Sequence, residues 1–94
     1  MTYDLEFKKI ALKEWKKLDP GIREQFKKKL RARLEGPRVR SAQLSGSESL
    51  YKIKLRQVGY RLVYKVDDEV ITVTVIAVGK RERNEVYIKV LSRL

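Results

Sequence analysis

The sequence contains neither cysteine nor histidine. Without cysteine the chain has no disulfide to stabilise it, and without either residue it lacks the usual protein ligands of zinc, iron and copper. The same absences exclude Ser-His-Asp and Cys-His nucleophile systems, so any catalysis has to proceed without imidazole or thiol. We therefore expect no metal and no small-molecule cofactor.

Long apolar runs are also missing, since no stretch approaches the roughly 20 residues that a membrane-spanning helix needs. The first residues, MTYDLEF, offer neither the basic nor the apolar region of a secretory signal. A length of 94 residues suits one small domain, residues 1–94. The sequence thus predicts a single-domain cytoplasmic protein that has no membrane partner.

Acidic residues are scarce: 12 Asp and Glu stand against 23 Lys and Arg, for a net charge of +11. The excess is present in both residues 1–40 and residues 41–94, so it does not belong to a separable tail. A folded body with this much charge of one sign repels itself, and nucleic acid, an anionic membrane surface or an acidic protein would relieve that repulsion. Of these partners, the composition favours nucleic acid.

The apolar pattern at the start of the chain predicts a strand and a helical hairpin. Weak alternation over residues 2–7 favours a strand, and apolar residues at helical spacing from Phe7 to Leu18 favour a helix. Asp19-Pro20 is typical of an N-cap with proline at the first position of a second helix, and Gly36-Pro37 ends that helix.

Three strands follow, at residues 49–56, 60–66 and 70–78, and a last helix begins near Glu82. The segments between the strands are short enough for hairpin turns, so we expect a meander. We assign the acids at residues 67–69 to a turn rather than to a metal site, because turns favour aspartate for backbone reasons. The predicted fold class is α+β: an antiparallel β-sheet packed against an N-terminal helical hairpin, with a short C-terminal helix.

Cations line up on the first strand of this meander. Strand alternation places Lys52, Lys54 and Arg56 on one face, with apolar side chains on the other. A polyanion would neutralise such a row. The structural alternative is that these are exposed edge-strand cations that discourage aggregation.

A second basic surface lies on the second predicted helix, opposite its apolar stripe. Its members are Arg23, Lys27, Lys28, Lys29, Arg31 and Arg33. Charged helix faces are usually only solvated, yet no acid interrupts this run after Glu24, so both interpretations stay open. Our RNA-binding candidates outside the reaction centre are Arg23, Lys27, Lys28, Arg31, Arg56, Lys80 and Arg83.

Five side chains from four consecutive elements can meet on one concave surface if the last helix folds back over the sheet. They are Lys52, Lys54, Arg61, Arg81 and Tyr87. RNA can be cut without a metal when the ribose 2′-hydroxyl attacks the adjacent phosphate. Clustered cations lower the pKa of a lysine and so favour its action as a base, arginine binds the phosphorane, and tyrosine stacks on a nucleobase. Surface ion pairs of the arginines with Glu82 or Glu85, and ordinary helix packing of Tyr87, are the structural alternatives.

Five stretches of the sequence resemble the RelE family of toxins from bacterial toxin–antitoxin systems. They are ALKEWKKL (11–18), YKIKLR (51–56), GYRLVY (59–64), VGKRER (78–83) and EVY (85–87), and the similarity runs the full length. The resemblance implies a small α+β fold and an endoribonuclease that cuts mRNA in the A site of the 70S ribosome, with contacts to ribosomal RNA. It also implies a cognate antitoxin that wraps the toxin and displaces its C-terminal helix.

The resemblance assigns a role to each candidate catalytic residue. Lys52 and Lys54 match strand lysines implicated in general base work and charge stabilisation. Arg61 matches the arginine that binds the scissile phosphate, and Arg81 the arginine that stabilises or protonates the leaving group. Tyr87 matches the aromatic residue that orients the nucleotide.

The sequence departs from the family at Gln43-Leu44-Ser45-Gly46, where close relatives are more basic, so an RNA backbone contact there would have to come from Arg38 and Arg40. The side chains of lysine, arginine and tyrosine ordinarily have pKa values of about 10 or above, far from neutral pH. We therefore expect the ribosome to align the mRNA, and we expect naked RNA to be cut poorly.

Two alternatives remain. One is a non-catalytic RNA- or ribosome-binding module. The other is a gyrase-directed toxin like the ParE-type relatives, which resemble this architecture but lack the basic cleavage set.

Overall fold

A computed structural model describes residues 2–80 and 85–93. Within these residues the chain forms four strands, three α-helices and one 3-10 turn. In chain order they are β1 (Asp4–Phe7), α1 (Lys9–Lys16), α2 (Pro20–Glu35), the 3-10 turn (Arg40–Ala42), β2 (Leu50–Leu55), β3 (Tyr60–Asp67), β4 (Thr72–Lys80) and α3 (Glu85–Arg93).

The strands form one sheet in the order β1-β4-β3-β2. The predicted meander is confirmed, since β2 pairs antiparallel with β3 and β3 antiparallel with β4. β1 differs from the prediction: it runs parallel to β4, with Leu5 beside Val73. Helices α1 and α2 and the following loop carry the chain from β1 to β2 at the opposite edge of the sheet. The meander then crosses the sheet strand by strand, and β4 lies beside β1 and runs in the same direction. Local alternation encodes a strand but not the direction of its neighbour.

The start of α2 forms as its sequence predicts. Asp19 lies at the N-cap, and its carboxylate accepts a hydrogen bond of 3.0 Å from the backbone N–H of Gly21. Pro20 occupies the first helical position, where its missing N–H leaves no backbone hydrogen bond unmade. The N-cap therefore fixes where the chain turns from α1 into α2.

The core lies on both faces of the sheet. Helices α1 and α2 cover one face, where Trp15, Phe26 and Leu30 pack against strand residues. Helix α3 covers the other face through Val86 and Val90. Strand β4, which lies inside the sheet between β1 and β3, is thus covered on both faces.

A bulge in β4 enlarges the apolar surface beneath α3. Val63 pairs with Ala77 while Tyr64 pairs with Val75, so Ile76 is an extra residue in β4. Ile76 and Ala77 are both fully buried in the cluster that includes Val86 and Val90 of α3. The bulge therefore gives α3 two adjacent apolar contacts where regular pleating would give one.

The acids between β3 and β4 have structural partners. The Asp67 carboxylate accepts hydrogen bonds from the backbone N–H of Glu69 at 3.0 Å and of Val70 at 3.5 Å, as in an Asx turn. Asp68 instead forms an ion pair with Arg38 and accepts a hydrogen bond of 2.6 Å from the Tyr3 hydroxyl. In the described parts of the chain, no helix has the length and apolar character needed to cross a bilayer.

Candidate functional site

Arg61 on β3 and Tyr87 on α3 are in direct contact. Nη1 of Arg61 donates a hydrogen bond of 2.7 Å to the Tyr87 hydroxyl, and the guanidinium carbon lies 5.8 Å from the centroid of the ring. Both side chains are half-buried. The contact arises because Val86 and Val90 dock α3 on the sheet and leave Tyr87 at the edge of the helix.

Lys52 joins these two side chains in one pocket of about 570 Å³. Apolar walls come from Leu50 of β2 and from α3, and the remaining wall is the loop at residues 44–47. Three of the five residues predicted to be catalytic therefore share one cavity. Its size is within the range of small-ligand pockets, and its mixed lining suits a nucleotide, which has an apolar ring face and an anionic phosphate.

Lys54 lies beside this pocket on the same face of the sheet. It is the direct cross-strand partner of Arg61 and lines a smaller cleft with Arg61 and Arg56. Arg81 and Arg83 lie outside the described residues. The structure thus brings together Lys52, Lys54, Arg61 and Tyr87.

The loop before β2 is a part of the site that the sequence did not indicate. Leu44 donates its backbone N–H to the carbonyl of Leu50 at 2.9 Å, and the Ser47 hydroxyl accepts from the N–H of Leu50 at 3.2 Å. Gly46 turns the loop with a φ of 79°, in the left-handed region that favours glycine. Leu44 is half-buried against the α3 cluster. These bonds fold an uncharged segment against Lys52, where it forms a wall instead of a basic contact.

One carboxylate links helix α3 to both α1 and β4. Glu14 of α1 accepts hydrogen bonds from Arg93 Nη1 at 2.8 Å, from Arg93 Nη2 at 3.3 Å and from Lys89 Nζ at 3.0 Å. It also accepts the backbone N–H of Val78 at 3.3 Å. Burial raises the pKa of Glu14, but these hydrogen bonds outweigh it and the net pKa is lowered. No local pattern distinguishes Glu14 from the other acids, so sequence reasoning missed it.

Within the described residues, Lys52 and Arg61 have no carboxylate partner. The ion pairs of the described residues join Glu24 to Lys27, Asp68 to Arg38, and Glu14 to both Lys89 and Arg93. None of them involves Lys52 or Arg61. An anionic ligand entering the pocket therefore meets Lys52 and Arg61, which no carboxylate of the described residues neutralises.

The predicted RNA-binding residues of α2 do not all face this site. Lys27 forms an ion pair of 3.3 Å with Glu24, and it lines a small apolar groove with Arg31 on the β1 side of the helix. Lys28 is exposed and Arg23 is half-buried. Lys27 and Arg31 therefore lie on the flank of α2 away from Lys52.

Four further basic residues lie nearer the sheet or the loop. Arg56 follows β2, and Lys80 ends β4; both are exposed. Arg38 binds Asp68 as well as the Glu48 carbonyl, so it is already engaged within the protein. Arg40 is exposed, and its side chain has no hydrogen bond or ion pair with the residues that the structure describes.

Comparisons with known proteins agree on one family. A family model described as the ParE toxin of the type II toxin–antitoxin system parDE matches residues 5–85. The mRNA interferase toxin RelE of Escherichia coli K12 is 55% identical over 94 residues, which are 100% of this chain and 99% of that protein.

Solved structures give the same result. An E. coli RelE variant with two arginines replaced, determined in the free state, superposes with a TM-score of 0.92 at 53% identity, over 100% of this chain and 99% of that one. The toxin of the intact E. coli RelBE toxin–antitoxin complex gives a TM-score of 0.83 at 57% identity, over 86% of this chain and 99% of that one.

Proposed function

The chain belongs to the ParE toxin family of type II toxin–antitoxin systems, and from that premise we propose that it is an mRNA interferase, the toxin of such a pair. The family description alone does not choose between RNA cleavage and gyrase poisoning. The 55% identity to an mRNA interferase over the full length favours RNA cleavage. Residues 1–94 then act as a single toxin domain, with the cognate antitoxin as protein partner.

One observation carries the proposal: Arg61 is held by Tyr87 in a pocket that also contains Lys52. A guanidinium fixed by a neighbour loses little freedom when it binds a phosphate, so its hydrogen bonds to a pentavalent phosphorane are pre-organised. ParE-type gyrase poisons, as the resemblance describes them, lack this basic set.

In the proposed reaction the ribose 2′-hydroxyl loses its proton to Lys52 or Lys54 and its oxygen attacks the adjacent phosphorus. Arg61 binds the non-bridging oxygens, on which negative charge accumulates in the transition state. The bond from phosphorus to the 5′-oxygen breaks, and that oxygen takes up a proton, a step for which Arg81 is the candidate. The products are a 2′,3′-cyclic phosphate and a 5′-hydroxyl, with no net change in protons.

The ribosome is part of the proposed substrate. Tyr87 stacks on a nucleobase while Arg61 holds the phosphate, but neither of them selects a position along a message. Alignment of the mRNA in the A site supplies that selection and brings the 2′-hydroxyl in line with the 5′-oxygen. We accordingly place the protein in the cytoplasm, in contact with mRNA and ribosomal RNA.

The test is cleavage on ribosomes programmed with a defined A-site codon. The protein should produce mRNA ends that carry a 2′,3′-cyclic phosphate, while Arg61→Ala should bind ribosomes normally and cut at least about 100-fold more slowly. Intact message at saturating protein would contradict the proposal. Binding without cleavage would favour the non-catalytic module, and DNA damage with intact message would favour a gyrase-directed toxin.

A further inference from the structure

A second pocket, of about 280 Å³, lies between α2, the 3-10 turn and β2. Its lining carries five cations and, among the described residues, no carboxylate. The lining residues are Lys29, Arg33, Ser41, Ala42, Lys52, Ile53, Lys54 and Arg56. The pocket lies on the α2 side of the edge strand β2 and the candidate active site on the α3 side, and Lys52 lines both. We call this second cavity the α2–β2 pocket.

Arg33 is fixed in this pocket through one of its nitrogens. Nη1 donates to the Tyr64 hydroxyl at 2.9 Å and to the carbonyl of Lys52 at 3.2 Å, and the guanidinium carbon lies 5.8 Å from the centroid of the Tyr64 ring. The Tyr64 hydroxyl in turn donates to the carbonyl of Pro37 at 2.7 Å. In the described part of the chain Nε and Nη2 make no hydrogen bond, so the donors left to Arg33 are held in place for a ligand.

We propose that the α2–β2 pocket binds a phosphodiester of the RNA strand that neighbours the scissile one, with Arg33, Lys29 and Ser41 as its ligands. The proposal rests on the proposed function, since the scissile phosphate at Arg61 fixes where the strand enters. A pre-organised guanidinium suits a phosphate because two of its N–H groups match two phosphate oxygens. Lys29 is exposed and adds a mobile charge, and the exposed Ser41 adds a hydroxyl donor.

RNA fits this pocket better than an acidic protein does. A protein partner would bury apolar side chains at the centre of its contact, and only Ala42 and Ile53 of the lining are apolar. An RNA strand places a charge at every nucleotide, so a strand that is bound at Arg61 and crosses the edge strand β2 brings a further phosphate to the α2–β2 pocket. Contact with two successive phosphates would also fix the direction in which the strand crosses β2.

The test measures binding of a short RNA that cannot be cut because the nucleotide at the cleavage position lacks its 2′-hydroxyl. Fluorescence anisotropy over a range of salt concentrations gives the slope of log K against log salt. Lys29→Gln and Arg33→Gln should each weaken binding and reduce the slope by about 0.7. Lys16→Gln, which removes the same charge from the exposed face of α1, is the control and should keep the wild-type slope. In an RNA with one neutral methylphosphonate next to the cleavage position, wild type and variants should bind equally.

Unchanged slopes in both pocket variants would overturn the proposal, as would a difference that no methylphosphonate position removes. Loss of affinity for an acidic antitoxin peptide with RNA binding intact would identify a protein site instead. If Arg33→Gln melts below the assay temperature, the exposed Lys29→Gln decides the test. Wild-type cleavage on ribosomes is measured in parallel, so failure of the pocket and failure of the ribonuclease proposal give different results.

Discussion

Glu14 on α1 and Arg93 near the end of α3 form a two-point ion pair, with Nη1 at 2.8 Å and Nη2 at 3.3 Å from the carboxylate oxygens. The side chain of Arg93 is only 12% exposed, and its Nη1 also donates to the carbonyl of Ile76 at 2.9 Å. This pair ties the helix that carries Tyr87 to the first helix of the chain. Docking of α3 therefore depends on a charge contact as well as on Val86 and Val90.

Glu14→Gln should lower the free energy of unfolding by about 2 kcal/mol, because it leaves the largely buried guanidinium of Arg93 without its counter-charge. Urea denaturation at pH 7 measures the loss. Glu24→Gln is the matched control: its pair with Lys27 is exposed, and the change should be below about 0.5 kcal/mol. Equal losses in both variants would show that Glu14 does not hold α3.

The same pair predicts a pH dependence. Hydrogen bonds lower the pKa of Glu14 in the folded state below its ordinary 4.5, despite the opposing effect of burial. The stabilisation is therefore complete above the unfolded pKa and is lost as the pH falls through the folded one. The difference in stability between wild type and Glu14→Gln should be constant from pH 6 to pH 8 and should shrink below pH 4.5. A difference that grows in acid would contradict the assignment.

The role of Tyr87 can be divided between its ring and its hydroxyl. Tyr87→Phe keeps the stacking surface and loses the hydrogen bond from Arg61, so single-turnover cleavage on programmed ribosomes should fall less than about tenfold. Tyr87→Ala removes the ring and should cost about 10- to 100-fold. If Phe is as damaging as Ala, the hydroxyl matters more than the ring, either by holding Arg61 or by proton transfer, and our assignment of stacking is wrong.

Gly79 on β4 lies opposite Arg61 and beneath α3. A Cβ at this position would stand 3.3 Å from Cγ2 of Val86, so the branched side chain of Gly79→Val has to push α3 away from the sheet. Hydrogen exchange should then show reduced protection of the α3 amides, and cleavage should fall with it. Gly36→Val is the control, because a Cβ there meets no atom within 4 Å. Unchanged hydrogen-exchange protection of the α3 amides in Gly79→Val would contradict the prediction.

The parts of the fold set by local sequence were predictable. Strand alternation placed Lys52 and Lys54 on one face, and the short turn at residues 57–59 brought Arg61 opposite Lys54. Val86 and Val90, at helical spacing, supply the apolar part of the docking of α3. These features depend on neighbours along the chain or on a tight turn, which a sequence pattern encodes directly.

The features that sequence reasoning missed depend on how separate elements rotate against each other. On α2, Lys29 and Arg33 face β2 whereas Lys27 and Arg31 face β1, and only packing of the helix on the sheet decides this division. The partnership of Glu14 with α3 spans nearly the whole chain. The helical period separates Lys29 and Arg33 from Lys27 and Arg31 but does not say which pair faces β2, and the contact of Glu14 with α3 leaves no periodic signal.

An exposed cluster joins three separate parts of the chain. It consists of Tyr3 near the N-terminus, Asp68 in the β3–β4 turn and Arg38 in the loop before β2. The hydrogen bonds from Arg38 and then Tyr3 lower the pKa of Asp68, and the hydrogen bond to Asp68 is the main cause that raises the pKa of Tyr3. The contribution of Asp68 to the stability of the fold is thus present above pH 3.8 and lost in acid. The contribution of Tyr3 to that stability is present below pH 10.0 and lost in alkali.

Melting temperatures measured across pH test this cluster. Asp68→Asn should melt below wild type at pH 7 and converge with it in acid. Tyr3→Phe should melt below wild type at pH 7 and converge with it above pH 10. Glu69→Gln, on the same turn, removes an acid that takes no part in the cluster and serves as control. Convergence at the opposite end of the pH range in either variant would refute the assignment.

Ile71, the turn residue directly before β4, has a φ of 48°, a left-handed conformation that β-branched residues rarely adopt. Its backbone carbonyl accepts the N–H of Asp4 at 2.9 Å, so the strained residue sits where β1 joins the sheet. Asparagine tolerates this conformation, and Ile71→Asn should raise the free energy of unfolding by about 1 kcal/mol. The neighbouring Val70→Asn, at a residue that is 63% exposed and has no positive φ, should change it little. Urea denaturation measures both variants. A lower free energy of unfolding in Ile71→Asn would mean that packing of the half-buried isoleucine side chain stabilises the fold by more than the strained backbone destabilises it.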